Sequence, residues 1–351
     1  MIKTTSTALC AALLAACAAT KAAPPEPAAS KPYVVAKTLT IGGDGRWDLF
    51  AIDSATKRLF VPRSDHVLVV DAESGAVLGQ IDGTKGVHGV ALVPELNRGF
   101  TSNGQDASMT VFDMKTLAVL GKIRTGTNPD VVIYDPASKR VLCFNGKSDD
   151  VTAVDAAADL ANDVLGERLE LGGKPELAVA DGAGQVFVNI EDKSEVVRFD
   201  SKTLKITARW PLAPGEGPSG LAMDIGHKRL FAACGNKTMV VLDAETGAVL
   251  ATPPIGSGVD GAGFDPSTGA AFASNGEGTL TVVRETSPGA FEVVQTLATK
   301  KGARTMIVDP ATHRIYLPCA EFGPTPEATA EQPRPRPPMI PGTFAILVVD
   351  R

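Results

Sequence analysis

One phrase recurs along this chain and limits what it can fold into: "GVHGVALVPELNRGFTSNG" (86–104), "NPDVVIYDPASKRVLCFNG" (128–146) and "GVDGAGFDPSTGAAFASNG" (258–276) are versions of it. Its opening run appears seven times, as "WDLFAID" (47–53), "HGVALVP" (88–94), "PDVVIYD" (129–135), "PELAVAD" (175–181), "PSGLAMD" (218–224), "VDGAGFD" (259–265) and "ARTMIVD" (303–309). Successive copies fall 40, 42, 46, 43, 41 and 44 residues apart. A period in the forties marks propellers, whose repeat is a small sheet that buries its faces only against its neighbours.

Within each copy a turn rich in Asp, Pro, Ser and Gly leads to a second apolar run, such as "RLFVP" or "RVLCF". A third run usually ends in Asp, as in "VLVVD" (67–71) and "MVVLD" (239–243), and a fourth follows turns such as "AESG" or "AETG". Four short β-rich runs joined by Gly-bearing turns predict one antiparallel sheet. The expected fold is therefore all-β, a seven-bladed β-propeller of four-stranded blades over residues 34–351. The last copy has only three runs, ending in "FAILVVD" (344–350), while a spare strand, "VVAKTLTIG" (34–42), precedes the first. The spare strand is predicted to complete the last blade, which closes the ring and removes an exposed edge.

The composition fits this reading, since 35 Gly and 25 Pro with only 21% charged residues suit short strands and tight turns. A net charge of -6 without a long basic run argues against a large nucleic-acid footprint. Residues 1–17 read as a signal segment whose apolar stretch is too short for a permanent span. Within it, Leu14-Ala15-Ala16-Cys17 resembles a lipobox, with Cys17 as the lipidation site. The Ala/Pro-rich residues 18–33 read as a tether. The expected location is the periplasm, lipid-anchored to the outer membrane of a Gram-negative bacterium, and the lipid is the only membrane contact expected. An ordinary cleaved secretory signal is the alternative. Cys143, Cys234 and Cys319 then remain, an odd number without CxxC spacing, and read as small buried side chains.

The second-strand copies "FTSN", "LCFN" and "FASN", with the "D..TG.V" turn and the "G..P" opening, resemble the YVTN family of β-propeller repeats, and most closely its periplasmic, YncE-like members. The resemblance spans about residues 34–351. It implies a seven-bladed fold and an exported location rather than a reaction. "LFVPR", "FVNI", "FAAC" and "YLPC" lack the consensus Asn, so any role tied to that Asn is supported in only some blades.

The innermost strand of a propeller blade starts at the mouth of the central channel. Equivalent positions in the seven copies hold Asp48, His88, Asp130, Glu176, Ser219, Asp260 and Arg304, all polar. Such a ring suits a hard cation such as Ca2+, which prefers several oxygen ligands. Equally, Asp130, Glu176 and Asp260 suit a cationic ligand with Arg304 paired to a neighbour, and all seven also suit backbone capping or plain hydration. Asn103, Asn145 and Asn275 are expected to border the same mouth or to stabilise the turns that follow them. The insertion at residues 319–344 contains seven Pro and reads as a stiff lid, a recognition arm or a spacer, with Arg334 and Arg336 facing the acidic ring or an anionic partner.

Catalysis has the least support, because no nucleophile has a visible activating partner. Four His and two Trp are too few for a multi-His copper cluster or for Trp-bearing quinone-enzyme repeats. No GxSxG elbow and no phosphate-cradling loop occurs. The expected role is a binding or interaction scaffold for a small ligand or an envelope protein, acting as a monomer. No cofactor motif is evident, and a divalent cation, Ca2+ above all, is the one cofactor the ring would take. A metal-dependent hydrolase of the lactonase type is the alternative, by analogy of fold and residue type alone.

Overall fold

The computed structural model describes residues 1–2, 31–162, 164–329, 333 and 335–351. The expectations for Cys17, for residues 18–30 of the tether and for Arg334 fall outside the described residues. Tyr33–Arg351 forms one compact unit.

Local side-chain chemistry builds each turn of the repeat. The Asp that ends the third strand accepts backbone N–H bonds from the two residues after the next, as Asp113 does from Lys115 and Thr116 at 2.9 and 2.7 Å. Asp71, Asp200 and Asp243 repeat the device. These Asx turns offer the chain a hydrogen-bonded reversal in place of a longer strand. The residue just before the second strand has positive φ in six copies, Lys57, Asn97, Lys139, Gly184, Lys228 and Gly269, and in the seventh the same role falls to His313, two residues before the strand.

The strands so delimited form seven antiparallel sheets of four, and in six of them spatial order follows chain order. The second blade is representative, with strands Val87–Val93, Arg98–Asn103, Ser108–Asp113 and Val119–Arg124 from inside to outside. Burial falls outward, from second strands buried along almost their whole length to fourth strands that are mostly exposed. Apolar clusters fill each junction between neighbouring blades, such as Phe60 and Phe112 between the first and second and Phe144 and Phe199 between the third and fourth. Each blade therefore buries both faces only because it has two neighbours.

The seventh blade takes its outermost strand from the other end of the chain. Val34–Thr40 pairs antiparallel with Ala345–Asp350, from Val34 opposite Asp350 to Thr40 opposite Ala345. Tyr33 anchors this strand, packing edge-on against Phe272 with centroids 5.1 Å apart and exchanging two hydrogen bonds with Gln295. The ring is thus closed by the spare strand, as its sequence predicts.

Two inner strands are shorter than their sequence copies suggest. The first covers only Ala51–Asp53 and the seventh only Ile307–Val308. In both, the residues toward the mouth leave the ladder for other partners. Trp47 packs on Phe344 and Phe322, at 5.3 and 6.0 Å, and Thr305 donates its hydroxyl to the Asp48 carbonyl at 3.3 Å. Cys143, Cys234 and Cys319 are buried free thiols, and burial pushes Cys234 up to about 12 and Cys319 up to about 11.

Candidate functional site

The inner strands are not regular where they approach the axis. Pairing with the second strand breaks register between Val87 and Val90, Pro129 and Val132, Pro175 and Ala178, Pro218 and Gly220, and Val259 and Gly261. His88, Asp130, Glu176, Ser219 and Asp260 all lie inside these breaks. A bulge leaves a residue unpaired and re-aims its side chain. Asp48 and Arg304 reach the same level by preceding their shortened strands. All seven predicted residues line one opening of about 580 Å³.

Backbone freed by the bulges is held by the neighbouring blade. Ser102 donates to the Asp130 carbonyl of the next blade and accepts from Gly89 N of its own blade at 2.8 Å. Ser274 donates to the Arg304 carbonyl at 2.5 Å, and Asn189 to the Gly220 carbonyl at 2.9 Å. These bonds satisfy groups that the ladder has released. The blades come close enough that a Cβ on Gly261 would meet Met306 N of the next blade at 3.0 Å.

The segment leading to Asp48 is held by Arg63, which is fully buried. The Arg63 guanidinium lies 3.9 Å over the Phe344 ring and donates to the carbonyls of Asp44 and Gly45 at 2.6 and 3.0 Å. Burial pulls this guanidinium down to about 10. At the mouth itself, Asp48 Oδ2 lies 2.7 Å from His88 Nδ1, and Asp130 Oδ1 lies 3.5 Å from the same nitrogen. The ring of His88 lies over Gly104, where a Cβ would come within 2.9 Å of Nε2. Asp48, His88 and Asp130 each offer one ligating atom, and those atoms lie within 4.8 Å of one another.

The electrostatics of the mouth favour added positive charge. Burial first, then the Asp130 charge, raise Glu176 to about 8, against the pull of Lys174 at 2.7 Å. Lys174 is shared with Glu191, so it neutralises neither fully. Burial raises Asp260 to about 6 although Arg304 stands 3.1 Å away, with the charges of Asp48 and Asp130 adding to the rise. Asp130 is also raised, by burial, with His88 opposing and Asp48 reinforcing. Burial alone would lower His88, but its Asp48 hydrogen bond and the surrounding carboxylates raise it overall.

Compared with protein-family models and with curated proteins, the chain matches none.

Not every predicted residue faces the opening in the same way. Ser219 lines it, yet its hydroxyl is spent on the Val259 carbonyl at 2.9 Å. The Asn residues expected at the mouth lie in the blade interiors instead, fully buried. Asn103 donates to Ser108 and Thr110, and Asn145 to Asp150 and Thr152, tying the second strand to the third. Arg336 of the insertion does reach the mouth. Its position follows from backbone bonds between Gly323 N and the Pro338 carbonyl and between Ile340 N and the Glu321 carbonyl, both 2.9 Å. Lys174 and Glu191 were missed by the repeat alignment. The signal for Lys174 is its place two residues before the aligned Glu176 in "GGKPELAVA".

Proposed function

We propose that the protein is a ligand-binding module whose channel mouth holds a cation, either a divalent metal ion or the positive end of a small molecule. The observation that carries this reading is the convergence of Asp48, His88 and Asp130 within 4.8 Å, beside carboxyls that burial has raised. Carboxylates crowded together repel one another, and a bound cation relieves that repulsion. Three ligands of mixed oxygen and nitrogen type suit Mn2+ or Zn2+, whereas Ca2+ would draw on the carboxylate oxygens alone. Membership in the YVTN family belongs to the same proposal, supported by the repeat phrase and the seven-bladed ring.

Thermal melts test it. In wild type, Ca2+, Mn2+ or Zn2+ should raise the melting temperature by several degrees, because a ligand of the native state alone stabilises it. Asp130→Asn combined with Glu176→Gln should abolish that rise while leaving the metal-free melt equal or slightly higher. If the pair is instead structural, its loss lowers stability by about 1–3 kcal/mol without any metal effect, and the reading fails. A lactonase-type hydrolase is the second reading, favoured by the same three ligands, because a metal ion with few protein ligands keeps positions for substrate. Turnover of a simple lactone by the metal-loaded protein, lost in Asp130→Asn, would select it.

A further inference from the structure

A second cavity of about 390 Å³ opens beside the mouth and has the opposite character. Arg46, Trp47, Arg304 and Arg336 border both. Lys301 joins the three arginines in its wall, and among the described residues no carboxylate does. Arg304 has Asp260 as its counter-charge, whereas among the described residues Arg46, Lys301 and Arg336 form no ion pair. A cleft lined by one sign of charge concentrates ligands of the other sign.

The rest of the wall is apolar and fixed in place. Trp47 rests on the buried Phe344 and tilts against Phe322, with centroids 5.3 and 6.0 Å away. Phe322 is 37% exposed, although the backbone bonds at the base of the insertion hold it at the rim. It lies across Gly302, whose φ is +86° and where a Cβ would meet Phe322 Cε2 at 2.9 Å. Met339, opposite Phe322 across an isolated bridge, completes the apolar side with a side chain that adapts to irregular shapes. An exposed aromatic surface held rigid beside uncompensated cations suits a ligand that is apolar along its body and anionic at one end.

We propose that this cavity binds a small organic carboxylate with an apolar, ring-sized body, of the aryl-alkanoate class. The carboxylate meets Lys301 and Arg336, where a guanidinium fork can hold both oxygens. The ring lies on Trp47, Phe322 and Met339. The volume falls within the range of small-molecule sites. None of the mouth carboxylates lines this cavity, so the inference stands or falls apart from the cation at the mouth.

Calorimetric titration with 3-phenylpropanoate and its neutral counterpart 3-phenylpropanol tests the proposal on the full chain. The acid should bind saturably and at least about tenfold tighter than the alcohol, which is about 1.4 kcal/mol. Lys301→Ala with Arg336→Ala should bring the acid down to the level of the alcohol, with an unchanged ligand-free melt showing that the fold is intact. Phe322→Ala should weaken both ligands. Asp130→Asn with Glu176→Gln should leave acid binding unchanged or tighter, which separates this site from the mouth. Equal binding of acid and alcohol, no acid binding at millimolar concentration, or an acid preference that survives the Lys301/Arg336 pair would each overturn it.

Discussion

Glu176 shows the tension at the mouth in a single residue. Its carboxyl keeps a proton to about pH 8 in the folded protein, against an ordinary value of 4.5. A group raised on folding stabilises the native state at low pH, and that contribution is lost as pH rises through the folded value. Asp260, raised from 3.8 to about 6, acts in the same direction over a lower range. The metal-free protein should therefore lose a few degrees of melting temperature between about pH 5 and pH 8, since a pKa difference of one is worth about 1.4 kcal/mol. Glu176→Gln, which cannot titrate, should flatten the upper part of that fall. An equal slope in the variant would place the titration elsewhere. At this scale the sequence was informative about position and not about environment: the alignment found Glu176, but Lys174 and Glu191 come from one side of it and from a different strand end. Ser219 was found too, although only the folded structure shows its hydroxyl committed to backbone.

Elements explain why those residues converge. The strands and Asp-capped turns were legible, because each depends on a few neighbouring residues. The bulges were not, because a two-against-one pairing is a property of two strands in register, and either strand alone reads as regular. The same holds for the insertion, whose length and prolines are visible in sequence but whose Phe322–Trp47 contact joins opposite ends of the chain. The strand Val34–Thr40 is the element on which ring closure depends. A chain beginning at residue 31 should behave as full length in chromatography and thermal melts. One beginning at residue 41 exposes the edge of Ala345–Asp350 and loses Tyr33 and Leu39, each 2% exposed. Burial of one such large side chain is worth about 1.5–3 kcal/mol, so this chain should aggregate or melt several degrees lower. Equal behaviour of the two would contradict closure by this strand.

For the whole molecule, the ring converts seven similar phrases into one asymmetric site. A period in the forties and a missing fourth strand were enough to read the architecture, since closure is the only way for every blade to have two neighbours. What the repeat could not convey is how unlike the seven positions become once they face one another. Asp48, His88 and Asp130 converge on one side, Lys174 partly neutralises Glu176, and Arg304 pairs with Asp260 while opening onto a basic, aromatic cavity. The account rests on the mouth being a cation site, and the arrival of a cation there must expel protons held by the raised groups. Mn2+ titrated into metal-free protein at neutral pH, in two buffers of different ionisation enthalpy, measures both events together. The predicted result is saturable binding of one ion with net proton release, lost in Asp48→Asn with Asp130→Asn; no saturable heat, or binding that survives both substitutions, would contradict it.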